Sequence, residues 1–202
     1  MRTSIFAGLA LAFAAACHDP TSTTTTSSAA GRETVVERAP SPSIYPLELA
    51  LRDQTGATIR PDAFRGHPVV VSMFYGSCPA ACPLIVTHIK QIEAALPAEV
   101  RADTRVLLVS FDAERDDPAA LSRLASAHRV DVARWRFAAA PEDDARQLAN
   151  AIGVHYRNEG GGVFSHDSVI AVLDREGRIV ASVDDPAADL EPLVKSVVAV
   201  SR

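Results

Sequence analysis

Two cysteines four positions apart, Cys78 and Cys82, are the residues of this chain best suited to chemistry. They stand in the stretch Phe74-Tyr75-Gly76-Ser77-Cys78-Pro79-Ala80-Ala81-Cys82-Pro83, between an apolar run ending at Met73 and a segment with helical spacing that starts at Leu84. Pro83 lacks an amide N–H, and its ring clashes with a carbonyl four residues back, so it belongs at the start of a helix. The spacing predicts Pro83 at the first helical position, Cys82 near the cap and Cys78 in the turn before it. Both sulfurs then lie near amide donors and the positive end of the helix, which favours thiolate over thiol. Such a pair has a Cα separation of about 6 Å, within disulfide range. A permanent staple is the bland reading, but so short a loop stabilises little. Thiol–disulfide exchange and soft-metal binding both remain open at this pair.

Two sulfurs are an incomplete metal site. A structural zinc site takes four ligands, and no second cysteine pair follows. Two thiolates with one imidazole suit copper, above all the soft monovalent ion. Six histidines could supply the imidazole. His18 and His67 read as solvated, His88 faces away from the Ile85/Ile89/Ile92 stripe, and His128 ends a helix where a cation suits the dipole. His155 lies in a glycine-containing loop and is an accessory candidate. His166 is the strongest: it follows that loop and starts the run into Val169–Leu173, where it can lean over the cysteine turn.

The elements that must position these groups follow from hydrophobic periodicity. Leu47 to Ile59 alternates around the turn Asp53-Gln54-Thr55-Gly56 and predicts an N-terminal β-hairpin. The apolar run ending at Tyr75 predicts a buried strand, and Ile85, Ile89, Ile92 and Leu96 share one face of a helix that Pro97 stops. Arg105–Asp112 predicts a second buried strand, parallel to the first through a right-handed crossover. Asp116-Asp117-Pro118 opens a helix to about His128; a short strand, Trp135–Ala138, and a helix, Pro141–Ile152 capped by Gly153, come next. His155–Ser165 reads as a loop, Val169–Leu173 with Ile179–Val183 as an antiparallel hairpin, and Pro186–Val200 as the closing helix. The sum is an α/β domain: a mixed β-sheet with helices on both faces, spanning residues 44–202.

The N-terminus carries a different message. Residues 1–16 hold one cation, Arg2, then an apolar stretch ending in small residues, the layout of an export signal. The stretch is shorter than the roughly 20 residues of a spanning helix. Cys17 directly after the small residues resembles a lipobox, with Ala14 standing where leucine is more usual, and predicts a lipidated first residue of the mature chain. Residues 17–43, rich in Thr and Ser, are too polar to bury a core and read as a disordered tether whose ends sit on the order of 30 Å apart. The expected location is therefore extracytoplasmic, periplasmic in type, at a membrane through an N-terminal lipid. A net charge of −5 gives no reason to expect nucleic acid.

Three stretches together resemble the Sco/SenC family of thioredoxin-like proteins: Cys78-Pro79-Ala80-Ala81-Cys82-Pro83, Ser110-Phe111-Asp112-Ala113-Glu114-Arg115-Asp116-Asp117-Pro118, and Ser165-His166-Asp167-Ser168 running into Val169–Asp174. The resemblance covers nearly the whole domain. It implies a thioredoxin-like fold and a membrane-tethered copper metallochaperone with Cys78, Cys82 and His166 as metal ligands and Asp112 supporting without ligating. It implies as partners a copper donor protein and the copper-site subunit of cytochrome c oxidase. Ala80, Ser165 and the order Phe74-Tyr75-Gly76-Ser77 depart from the commoner family pattern, which bears on the partner surface more than on the ligand trio. The alternative is an extracytoplasmic thiol–disulfide oxidoreductase using Cys78 and Cys82 as a redox-active disulfide to keep partner cysteines reduced. Thiol peroxidase chemistry is disfavoured, since Tyr75 and Pro79 occupy the positions where such enzymes place a threonine. A scaffold without chemistry is the remaining reading.

Overall fold

A computed structural model describes residues 41–78, 81–185 and 187–202, the side chains of Ala81 and Cys82 excepted. The expected signal, the lipidation site Cys17 and the tether as far as residue 40 lie outside the described residues. Seven strands form one sheet in the order β2-β1-β5-β4-β3-β8-β9. Its centre is β3 (Val69–Phe74), β4 (Arg105–Ser110) and β5 (Trp135–Ala139), all parallel. β8 (Ile170–Leu173) joins β3 antiparallel, and β9 (Ile179–Val183) completes that edge. On the other edge, β1 (Leu51–Asp53) and β2 (Thr58–Ile59) form the expected N-terminal hairpin, with β1 antiparallel to β5. The hairpin is shorter than its alternating pattern, because Leu49 is buried without joining a ladder.

Every residue of β3 and β8 is buried, so neither face of the sheet centre meets water, as expected when helices cover both sides of parallel strands. α1 (Ala81–Ala95) and α3 (Pro118–His128) cross over between parallel neighbours, and α1 meets the closing helix α5 (Glu191–Val200). Ile85, Ile89, Ile92 and Leu96 are all buried, as their spacing requires. α3 opens on Asp117, whose carboxylate accepts from the Ala120 amide at 2.7 Å, with Pro118 behind it. α4 (Glu142–Ile152) ends in a left-handed Gly153.

Four expectations are corrected. α1 starts at Ala81, so Pro83 sits third in the helix instead of first; it is tolerated because the opening amides of a helix have no intrahelical acceptor. A short helix, α2 (Ala98–Asp103), lies between Pro97 and β4, too brief to leave a periodic signal. Residues 155–165 are no loop: β6 (Tyr156–Gly160) and β7 (Val163–His166) pair antiparallel as a separate ribbon. The turn uses Gly160, Gly161 and Gly162, all at positive φ, a region glycine enters without penalty. The closing helix also begins at Glu191, five residues later than Pro186, after a turn held by Asp185 and Asp189.

Candidate thiol and metal site

β3 delivers the chain to the carboxyl end of the sheet. There Tyr75 stays buried, Gly76 and Ser77 turn, and the Cys78 amide donates to the Tyr75 carbonyl at 3.1 Å. The half-buried Cys78 packs against the hydrophobic core. The Cys82 backbone lies in the first turn of α1, where unpaired amides and the helix dipole favour an anion. The Cys82 side chain lies outside the description, and among the described residues no cluster of three or more histidine, cysteine or acidic groups surrounds a metal position.

His166 is brought to this turn by the ribbon. It is the last residue of β7, opposite Tyr156, and its ring meets the edge of Tyr75 at 5.6 Å between centroids and that of Phe111 at 5.3 Å. Tyr75 is three residues before Cys78, so the distant imidazole packs on the residue that opens the cysteine turn. Phe164 and Tyr156 close the cluster: Phe111 stacks on Tyr156 at 4.6 Å and 9°, and Phe164 lies 5.0 Å from Phe111 and 5.1 Å from Tyr75. A carbonyl oxygen can only accept, so His166 Nδ1, 2.8 Å from the Asp167 carbonyl, must carry the proton. Nε2 then holds the lone pair of the neutral ring, the state in which an imidazole ligates a metal.

The other candidates separate clearly. The Asp112 carboxylate is buried and accepts from Arg115 Nη1 through both oxygens at 3.1 Å, which fixes the loop after β4 whose Phe111 touches His166. His155 pairs through Nδ1 with Asp167 Oδ2 at 2.7 Å, and its side chain is 87% exposed. The Asp167 amide donates to the His155 carbonyl, continuing the ribbon by one residue, so alternation puts His155 on the face away from His166. His67 bonds Asp103 at 2.6 Å beside the starts of β3 and β4, far along the strands from the cysteine turn. At the end of α3 the cation is Lys90, whose ammonium donates to the His128 carbonyl; burial and that nearby charge lower the His128 pKa.

Sequence reasoning gave Asp116 a place in a helix cap and in the Ser110–Pro118 stretch of the family resemblance but no role at the site, and the structure gives it more. Its carboxylate is buried, and Oδ2 accepts from the Gly76 amide at 2.7 Å and from the Ser110 hydroxyl. Burial raises its pKa, the Ser110 and Gly76 hydrogen bonds oppose that, and the charges of Asp112 and Asp117 add to it. The available signal was the second acidic residue before Pro118: one carboxylate suffices as a cap.

The mixed sheet thus carries two cysteines at a strand-to-helix turn and an imidazole presented by a later ribbon, groups suited to thiol and soft-metal chemistry. The family model described as SCO1/SenC matches residues 40–201, and the chain belongs to that family. A Stutzerimonas stutzeri protein named for copper binding is 23% identical over 143 residues, 69% of each chain. Among solved structures, a SCO1/SenC family lipoprotein from Bacillus anthracis superposes with a TM-score of 0.71 at 15% identity, covering 82% of this chain and 99% of that one. Bradyrhizobium japonicum ScoI with copper bound gives 0.62 at 20%, covering 75% and 96%. BsSco, described as carrying a disulfide switch and as a member of the Sco family of cytochrome c oxidase assembly proteins, gives 0.67 at 16%, covering 83% and 97%. At these identities the superpositions show a shared fold.

Proposed function

We propose that this protein is a copper-binding assembly factor for the copper site of cytochrome c oxidase, held at a membrane outside the cytoplasm by a lipid on Cys17. The observation that carries the reading is His166: its ring rests on Tyr75, three residues from Cys78, with Nδ1 tied to a carbonyl and Nε2 left with the lone pair. The donor set fits the metal. Two thiolates and an imidazole favour a soft, monovalent ion over a hard cation, and the Tyr75 and Phe111 rings give the imidazole its seat. Cys78, Cys82 and His166 are the assigned ligands, and Asp112 supports them by fixing Phe111. Bound copper would be cargo, received from a donor protein and passed to the oxidase subunit that houses the copper site. Support comes from the family membership, from the copper-bound ScoI of the same fold and from the copper-binding name of the Stutzerimonas relative.

The test is Cu(I) stoichiometry and affinity against a competing chelator, for the exported domain and for Cys78→Ser, Cys82→Ser and His166→Ala. One equivalent bound by the parent, with loss in all three variants, is expected; a parent that binds none, or a His166→Ala protein that binds as the parent does, refutes the assignment.

A second reading is favoured by the placement of the pair at the start of α1 and by the disulfide switch described for BsSco. One thiolate attacks a partner disulfide, forming a mixed disulfide and releasing a partner thiolate. The other then displaces the second partner sulfur, so that Cys78 and Cys82 end oxidised and the partner gains two electrons. This exchange does not need His166, so full reductase activity in His166→Ala identifies it.

A further inference from the structure

The parallel ladder between β3 and β4 has its last backbone rung where the Phe111 amide donates to the Phe74 carbonyl at 3.1 Å. In a continued parallel ladder the next rung would run from the Gly76 amide to the Phe111 carbonyl. The Gly76 amide instead donates to Asp116 Oδ2 at 2.7 Å. The same oxygen accepts from the Ser110 hydroxyl, and Ser110 Oγ in turn accepts from the Asp112 amide at 3.0 Å. One buried carboxylate thus gathers the end of β4, the loop that carries Phe111, and the turn that leads to Cys78. The fit leaves no slack, since a Cβ on Gly76 would lie 2.3 Å from Asp116 Oδ1.

We propose that Asp116 is the positioning residue of the site: its clamp on Gly76 and Ser110 holds the Cys78 turn in register with the Phe111 face that seats His166. This rests on the copper reading for its purpose and on the hydrogen bonds alone for its geometry. Its hydrogen bonds to Gly76 and Ser110 act by ordering the two segments that present ligands, so that less of the binding free energy goes into arranging the loop. Because both donors converge on Oδ2, an amide at this position can accept both, whereas a methyl group accepts neither.

The experiment compares Asp116→Asn, Asp116→Ala, Gly76→Ala and the double variant Asp116→Ala/Gly76→Ala for Cu(I) affinity by chelator competition. The alkylation rate of Cys78 in the metal-free protein is followed in parallel by mass spectrometry. Asp103→Ala, which breaks a cluster at the opposite end of the strands, is the control for plain destabilisation. Expected are an affinity loss of about tenfold or more in Asp116→Ala, the range typical of groups that orient metal ligands, and retention within about threefold in Asp116→Asn. Gly76→Ala weakens binding in the parent and much less once Asp116 is alanine, because the clash is then gone; such coupling is the mark of a direct contact. Parent-like affinity and alkylation in folded Asp116→Ala, or equal losses in the Asp103→Ala control, overturn the proposal. If Asp116→Ala does not fold, Gly76→Ala decides: unchanged affinity and alkylation overturn the clamp. A parent that binds no copper removes the copper reading while the alkylation rates still decide the clamp.

Discussion

Replacing Phe111 by alanine removes the ring on which the candidate site depends most. The ring is 6% exposed and meets four aromatic partners: Tyr156 stacked at 4.6 Å, Phe164 at 5.0 Å, Tyr75 at 5.6 Å and His166 at 5.3 Å. Truncation of a buried phenylalanine costs about 3–5 kcal/mol, combining lost transfer free energy with the cavity left behind. The upper part of that range applies here, because the Tyr156 and Phe164 rings belong to a two-stranded ribbon paired to no strand of the main sheet and cannot collapse inward without unseating His166. For a domain of this size, each kcal/mol lowers Tm by about 2–4 °C, so the expected fall is about 8–20 °C. Differential scanning calorimetry of the metal-free domain measures it. Phe111→Leu, which keeps most of the apolar volume, should cost about 1.5 kcal/mol or less. Cu(I) affinity should fall in Phe111→Ala by less than in His166→Ala, since the ligand atom survives and only its seating is loosened. A Phe111→Ala protein melting within about 2 °C of the parent, or keeping the parent's copper affinity, refutes the claim that this cluster seats the imidazole.

Two further outcomes concern the ends of the pH range. Burial works against the Asp103 carboxylate, but the His67 hydrogen bond and the Arg175 ion pair outweigh it and hold its pKa below the ordinary 3.8. Its contribution is therefore present above that value and lost as pH falls through the lower folded value; urea midpoints of Asp103→Asn should show a shallower acid slope than the parent, and an unchanged slope contradicts the assignment. Tyr45 is pushed up to about 12 by burial first and by the Asp174 charge second. The folded state prefers its neutral form, so stability is full below pH 10 and declines as pH rises towards 12. Absorbance titration should show one phenol fewer ionising late in Tyr45→Phe, and an identical curve rules the reading out.

Much of this protein is written locally. The Ile85/Ile89/Ile92/Leu96 stripe, the unbroken apolar runs of β3 and β4, and the Asp117-Pro118 cap each act over a few residues, so periodicity and capping chemistry are enough to find them. The cysteine pair is local in the same sense: four positions and a following proline place both backbones at a strand-to-helix turn without reference to anything distant. Pro83 shows the limit, since any place in the first helical turn satisfies a missing amide and only the folded chain chose the third. The ribbon β6–β7 read as a loop because Tyr156 to Gly160 lacks alternation and is exposed over most of its length; it pairs because three glycines reverse the chain and Tyr156 and Phe164 find Phe111. His166 could be named from sequence, whereas its contact with Tyr75, three residues before Cys78, depends on that ribbon. Asp116 is the clearest case of what tertiary structure alone decides. Along the chain it is only a second acidic residue beside the capping Asp117, and its partners Gly76 and Ser110 meet only when two parallel strands end side by side.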